Sequence, residues 1–508
     1  MLAEASKLTL DRLSTTPQSA QRGPSMSPTA SGNSSAQTHL PVPAHWIDGH
    51  SVPVEGHGIA VVNPATGEVI ASVPEGTAED VDRAVGAAAA AFADWSTTDL
   101  AHRIALMRRV AEGLQTRQEE LAAVITAEIG APISFSRLAH AGFPAEAIAA
   151  AITVAEEYVW SEEVGNSTIV REPIGVVGAI TPWNFPLQQV VNKVVPALLA
   201  GNTVVLKPSE VSPLSAQIFA EVTAQAGVPA GVFNLVHGTG AVVGEAIARH
   251  SGIAMVSFTG STMAGKRVAA VAADTVKRVS LELGGKAALV VLPEADLDEA
   301  VSQGLANAWV NGGQACGAWT RMLVPAEAHD RVVEKLREAA AAYTTGDPTR
   351  EETDLGPLAS EAQRRRVNEY IEKGIADGAT LVVGGPDRPE GLETGAYVKP
   401  TIFADVDPDS TIAREEIFGP VLTVIPYTGD DQAVAITNDT VYGLSAAIAG
   451  DGDHALALAR QIRAGQVIIN GGEYNFMAPW GGYKQSGNGR ENGRAGFEEY
   501  LETKAISV

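Results

Sequence analysis

The chain has 508 residues, 45% of them hydrophobic, with 60 acidic against 36 basic side chains and a formal charge of −24. That length can bury two or three cores, and the acidity speaks against non-specific binding to nucleic acid or an anionic membrane. Apolar runs such as 175–180 and 194–200 fall far short of the ~20 residues of a spanning helix, and one cysteine excludes an internal disulfide or a thiolate-cluster metal site, so no metal is expected.

Residues 1–40 are rich in Ser, Thr, Pro, Gln and Ala, which predicts a disordered extension. They lack the apolar core of a secretory signal, and Glu4 and Asp11 argue against a transit peptide, so a cytoplasmic location is expected. Folded sequence begins near Trp46, and 62–68 reads as a strand ending in a turn. Thr77-Ala-Glu-Asp opens a helix that runs to Trp95, and helical spacing continues over 103–129 and 145–158. The stretch 164–173 suits an extended ribbon.

From 174 to 292 apolar strands alternate with helices. Strands are expected at Val176–Ile180, Thr203–Leu206, Val232–Val236, Ile253–Phe258 and Ala287–Val291, a parallel sheet wound on both faces. A second alternating run has strands at 321–324, 380–383, 397–403, 421–426, 445–449 and 466–470, with helices at 328–342, 361–378 and near 430–438; the last residues, 498–508, read as a terminal strand. The fold class is therefore α/β.

Unusual residues cluster at predicted strand ends, where such sheets hold their sites. Asn311-Gly-Gly-Gln-Ala-Cys316-Gly-Ala surrounds the sole thiol with glycines and alanines. A core-filling cysteine is the commoner case, but glycines let a backbone approach a ligand, which suits a nucleophile. Thr181-Pro-Trp-Asn-Phe-Pro186 places the Asn184 amide at a strand end, where it could hold an oxyanion or simply serve a turn. Lys207-Pro-Ser-Glu210 pairs a cation with a carboxylate suited to ribose, or to a surface ion pair. Phe258-Thr-Gly-Ser261 opens a helix whose free amides suit a pyrophosphate. In Leu281-Glu-Leu-Gly-Gly-Lys286, Glu282 lies among apolar neighbours, so desolvation would raise its pKa toward that of a general base.

With Glu416-Ile-Phe-Gly-Pro and Gly481-Gly-Tyr-Lys-Gln-Ser-Gly these motifs stand in one order over about residues 44–508, and the chain resembles the NAD(P)-dependent aldehyde dehydrogenase superfamily, hydrolytic branch. The resemblance implies a Rossmann-like cofactor domain (41–158 and 174–284), a catalytic α/β domain (285–494) and a small β oligomerisation ribbon (159–173 and 495–508). It implies oxidation of an aldehyde to a carboxylic acid, with NAD as cofactor, NADP as an alternative, and a homodimer or homotetramer. By similarity, Cys316 forms a thiohemiacetal and then a thioester, Asn184 and the Cys316 N–H hold the oxyanion, Glu282 activates water, and Lys193 and Glu491 relay protons. Lys207, Ser209 and Glu210 would hold the adenosine ribose, Ser261 the pyrophosphate, Glu416 the nicotinamide ribose and Phe418 the ring. Ile180, Thr181, Pro182, Trp183, Gly240, Phe258, Gly260, Leu283 and Gly284 complete the implied cofactor contacts.

The implied aldehyde tunnel comprises Phe185, Gln188, Gln189, Asn192, Trp309 and Trp480. Gln188, Gln189 and Asn192 depart from the family's usual apolar residues and point to a polar substrate, while Trp480, where Phe is usual, could hold an amino-aldehyde cation. Two rivals are a CoA-acylating semialdehyde dehydrogenase, which Glu282 speaks against, and an inactive binding protein, which would need none of Cys316, Asn184 and Glu282.

Overall fold

The computed structural model describes residues 40–53 and 58–508. The extension expected over 1–40 lies outside them, except for its last residue. Two seven-stranded sheets carry most of the chain. In the first the order is Arg278–Glu282, Met255–Thr259, Val176–Ile180, Thr203–Lys207, Phe233–Leu235, His45–Ile47, His50–Val52. The first five strands are parallel. The inner strands are buried along their whole length, as a sheet covered on both faces requires. The last two form a hairpin whose two-residue loop, Asp48 and Gly49, takes the positive φ values (53° and 75°) that match strand twist.

Helix Ala78–Trp95 starts as its sequence predicts. Asp80 N–H donates to Thr77 Oγ1 (3.3 Å) and Thr77 N–H to Asp80 Oδ2 (2.8 Å), the reciprocal cap worth about 1 kcal/mol. The helical stretch expected over 103–129 breaks at Arg117 (φ −101°, ψ 18°) into Leu100–Thr116 and Gln118–Ile129. Residues 133–157 are long and apolar enough to cross a membrane by length and composition. Here they are interrupted by a π turn at Ser136–His140, and Ile148, Ile152 and Ala155 pack into the core against helix Pro186–Leu199.

The second sheet is ordered Thr380–Val383, Thr401–Ala404, Val421–Tyr427, Arg321–Pro325, Ala288–Val291, Ser445–Ala449, Gln466–Ile469, parallel except for the first strand. Two expectations are corrected. The strand at 287–291 belongs to this sheet, and the fifth parallel strand of the first is Arg278–Glu282, an edge strand whose charged residues hid its apolar pattern. The strand expected over 397–403 begins only at Thr401, because Pro400 has no N–H for the ladder. Helix Leu297–Ala308 was not anticipated; Asp296 caps it by accepting from Asp298 N–H (2.9 Å) and Glu299 N–H (3.2 Å).

Ser161–Val164, Ser167–Pro173 and Leu501–Ser507 form a separate antiparallel ribbon, the last two pairing over seven residues. Between the sheets the chain passes from Glu282 to Ala288 through Leu283-Gly284-Gly285, so the end of one sheet is tied to the start of the other beside the site.

Candidate active site

Cys316 follows a turn in which Asn311, Gly312 and Gly313 all have positive φ (52°, 65° and 71°), a run that only Asn and Gly accept cheaply. A Cβ on Gly313 would stand 2.0 Å from the Gly419 carbonyl oxygen. Two asparagines lock the turn to the segment before helix Pro186–Leu199: Asn311 Nδ2 donates to Asn184 O (2.8 Å), and Asn184 Nδ2 donates to Gln314 O (2.9 Å). Asn311 Oδ1 faces His140 Nε2 at 3.4 Å, and burial pushes the His140 imidazole down to about 4, so it stands neutral. Asn184 is thereby held with its amide beside the thiol's turn.

Helix Pro186–Leu199 is buried at every position, and its Gln188, Asn192 and Lys193 join in one chain that ends on Glu491. Gln188 Nε2 donates to Asn192 Oδ1 (2.6 Å), Asn192 Nδ2 donates to Glu491 Oε2 (3.1 Å), and Lys193 Nζ pairs with Glu491 Oε1. A carboxylate only accepts, so Glu491 fixes the Asn192 amide, and Asn192 in turn fixes that of Gln188. Glu282, at the end of its strand, is 3% exposed. Burial, with Glu491 adding repulsion, pushes its carboxyl up to about 8 against the opposing pull of Lys193, the Trp480 indole and the nearby Cys316 thiol. Burial also pushes the Cys316 thiol well up, with Glu282, Glu416 and Glu491 adding to it. The thiol therefore rests protonated.

Two cavities meet at Cys316 and Gln189. A cleft of about 480 Å³ is walled by Pro182, Trp183, Asn184, Gly260, Ser261, Glu282, Leu283, Gly284, Glu416 and Phe418, all singled out by the sequence, and by Gln363, Arg366, Tyr370 and Tyr442, which were not. Ser261 caps helix Thr262–Ala272, accepting from Ala264 N–H (3.2 Å), and residues 260–263 at that helix start line the cleft, a site suited to a pyrophosphate. Glu416 Oε1 accepts from Gly285 N–H (2.9 Å), and a Cβ on Gly284 would meet the Glu416 carboxylate at 2.3 Å. Burial raises Glu416, opposed by that N–H and by Lys286. The Phe418 ring meets Trp183 edge-on with centroids 5.4 Å apart.

Lys207 Nζ pairs with Glu210 Oε2 at 2.6 Å, next to Thr181, whose N–H donates to Lys207 O (3.1 Å). Burial lowers Lys207; in Glu210 burial is outweighed by Lys207 and by the Gly240 N–H, which keep it a carboxylate. Ile180, Thr181, Lys207, Ser209, Glu210, Gly240 and Phe258 stand outside the residues that wall this cleft. Ile180 and Phe258 pack in the core beneath it, and a Cβ on Gly260 would meet the Phe258 ring at 2.6 Å. A dinucleotide fits the donor set: helix amides for phosphates, a Lys–Glu pair for a ribose diol and a buried carboxylate beside the thiol.

The second cavity, about 120 Å³, is walled by Phe143, Phe185, Trp319, Tyr474, Phe476 and Trp480 with Gln188, Gln189, Asn192, Asn307, Ser445 and Gln466. None of the described residues lining it is Asp, Glu, Lys, Arg or His. Trp309 is a correction: its ring is buried in the core of the second sheet, 5.0 Å from the Tyr343 ring, and Val310 and Asn307 reach the pocket instead. The helical turn before the 311–313 kink points Trp309 inward. Phe143, Tyr474 and Phe476 come from distant segments, and nothing local in the sequence marks them as wall.

The chain matches the model of the aldehyde dehydrogenase family over residues 51–506. It is 46% identical over 469 residues to a 3-succinoylsemialdehyde-pyridine dehydrogenase of a Pseudomonas species, covering 91% of this chain and 97% of that one. Among solved structures it is similar to aldehyde dehydrogenase C of Pseudomonas syringae, in complex with NAD+ and octanal, at TM-score 0.91 and 51% identity over 92% of this chain and 98% of that one. It is likewise similar to a Mycobacterium tuberculosis aldehyde dehydrogenase in complex with NAD+, at TM-score 0.89 and 41% identity over 92% and 98% of the two chains.

Proposed function

Since the chain belongs to the aldehyde dehydrogenase family, we propose that its NAD-dependent oxidation of aldehydes runs through a thioester on Cys316, which water activated by Glu282 hydrolyses to a carboxylic acid. The observation that carries this reading is the position of Cys316 at the junction of cleft and pocket, with the buried Glu282 carboxyl lining the same cleft. Bound in the cleft, the dinucleotide supplies the hydride acceptor. The helix amides at Ser261 and the Glu416 carboxylate would hold it, with Lys207 and Glu210 at the adenosine ribose.

Cys316 attacks the aldehyde carbon as its thiolate, its proton having passed to solvent water, so that Glu282 stays free for the hydrolytic step. The Asn184 amide, fixed by Gln314 and Asn311, stands ready to stabilise the oxyanion. Once a thioester stands on Cys316, the Glu282 carboxylate takes the proton from the attacking water. Lys193 and Glu491, buried and paired behind Glu282, provide a route for that proton to leave.

The substrate reading favours a neutral aldehyde with an apolar or aromatic body and a hydrogen-bonding group. Aromatic walls suit the body, and Gln188, Gln189, Asn192 and Gln466 suit the polar group. The aldehydes named for the relatives, octanal and a pyridyl semialdehyde, are of this uncharged kind. An amino-aldehyde cation would find aromatic faces and amide oxygens here but no carboxylate. We assign 41–158 with 174–284 to cofactor binding, 285–494 to catalysis, and the ribbon of 159–173 with 495–508 to a homodimer or homotetramer, whose size light scattering measures. The activity test is NADH formation over a panel of aliphatic, aromatic, hydroxy- and amino-aldehydes with NAD, with NADP, and with NAD plus CoA. Turnover that is independent of CoA supports hydrolysis; turnover only with CoA refutes it.

A further inference from the structure

Trp480 stands where three parts of the site touch. Its indole Nε1 donates to Glu282 Oε1 at 3.2 Å. Glu282 Oε2 is buried with no N–H or O–H donor from the protein, so the indole fixes one oxygen and leaves the other to meet water. The Trp480 backbone is clamped to Glu491 in both directions, N–H to O at 2.7 Å each way, and Glu491 is in turn held by Lys193 and Asn192. The ring lies against Gly317, next to the thiol: a Cβ there would be 2.6 Å from it. The other face of its surroundings is the aldehyde pocket, where Tyr474 lies with ring centroids 6.1 Å away.

Resting on the general-base reading of Glu282, we propose that Trp480 is a positioning residue, whose indole N–H holds Glu282 in register with Cys316 while its ring walls the aldehyde pocket. The wall that contacts the substrate thereby also orients the base that releases the product. A Phe, usual in the family at this place, fills the same wall but has no N–H to donate. The groups facing Glu282 are Lys193 from the buried helix, Cys316 from the glycine turn, Tyr474 from the segment before Trp480, and Glu491 from the C-terminal segment. Of these, Glu491 disfavours the carboxylate, whereas Lys193 and the indole favour it. Loss of the indole donor therefore moves the carboxyl further up.

The test isolates the hydrolytic step and needs no cofactor. Cys316 is acetylated with p-nitrophenyl acetate, which transfers its acyl group to the thiol and releases p-nitrophenolate, and loss of the acetyl group is followed by intact mass between about pH 6 and about pH 9. Trp480→Phe should slow deacylation more than acetylation, so the ratio of the two rates is the readout. Its deacylation limb should move to higher pH by about one unit, making acetyl loss at pH 7 about tenfold slower. Trp480→His, which retains a ring N–H, should recover most of that shift. Glu282→Gln in parallel separates the two claims. If it deacylates as fast as the parent, the general-base reading fails. If it is slow while Trp480→Phe follows the parent profile, or loses acetylation and deacylation equally, the positioning role is overturned. Should the Phe variant fail to fold, as judged by titration of one thiol per chain, the His variant decides alone: a profile unlike the parent's at every pH refutes the proposal.

Discussion

The cleft of about 480 Å³ and the pocket of about 120 Å³ share Cys316 and Gln189, yet they are assembled in different ways. Besides side chains from helix Glu361–Ala376, from 415–418 and from Tyr442, the cleft is walled by short segments at the carboxyl ends of parallel strands: 182–184 after Val176–Ile180, 259–263 after Met255–Thr259, and 282–284 after Arg278–Glu282. Each segment is contiguous, and its geometry follows from the strand and the turn that ends it. The pocket is walled by single side chains from helices and loops far apart in sequence, such as Phe143, Asn307, Gln466 and Phe476. One region is set by backbone topology, the other by side-chain packing, and substitutions should divide accordingly.

The substitution with the largest effect falls where the two regions meet. Cys316→Ala should abolish NADH formation while NAD still binds, as isothermal calorimetry would show; loss of both would mean that the turn itself had collapsed. Next, Glu282→Gln should slow steady-state turnover by about 100-fold or more while leaving a burst of NADH, since only hydrolysis loses its base. In the parent enzyme Glu282 is pushed up to about 8, so below that pH it is mostly protonated and cannot accept a proton. Hydrolysis should therefore rise as pH rises toward about 8 and level off above it; a flat stopped-flow profile from pH 6 to 9 contradicts this.

On the pocket side alone, Gln188→Leu breaks the hydrogen bond to Asn192 and makes the wall apolar. It should shift kcat/KM from hydroxy- toward alkyl-aldehydes by about tenfold, the value of roughly one hydrogen bond, without moving the Kd for NAD. On the cofactor side alone, Glu210→Gln removes a charge that repels a 2′-phosphate. Glu210 is about a third exposed, so screening limits the change in NADP preference to about fivefold. If either substitution altered both ligands equally, the division between the regions would be wrong.

The same division explains what was legible in the sequence. Asn311-Gly-Gly could be read as a tight turn because three successive positive φ values leave few other residue types. Asn184 and Ser261 could be placed because apolar runs ended just before them, and Glu282 because it lies between two leucines ahead of two glycines. Lys193 and Glu491 are 298 positions apart, and only the family resemblance joined them; the fold brings them into contact on a buried helix face. Trp309 was misplaced because the family resemblance puts an aromatic before the nucleophile in the tunnel, whereas here the helix ending at Ala308 turns it into the core. The Asn311–His140 contact and the Trp480–Glu282 hydrogen bond carry no local pattern, since each joins segments far apart in the chain. The edge strand Arg278–Glu282 was missed for a related reason: its Arg278 makes hydrogen bonds to Glu499 O and Leu501 O, tertiary partners that compensate for a polar residue in a strand.

The most direct test of the proposed chemistry is to mix Glu282→Gln enzyme with NAD and a medium-chain aldehyde, quench in acid within seconds, and map the adduct by peptide mass. A thioester on the Cys316 peptide, formed in step with one NADH per chain and persisting in the absence of CoA, is the predicted result. Full turnover with no adduct, or an adduct on any other residue, would contradict the account.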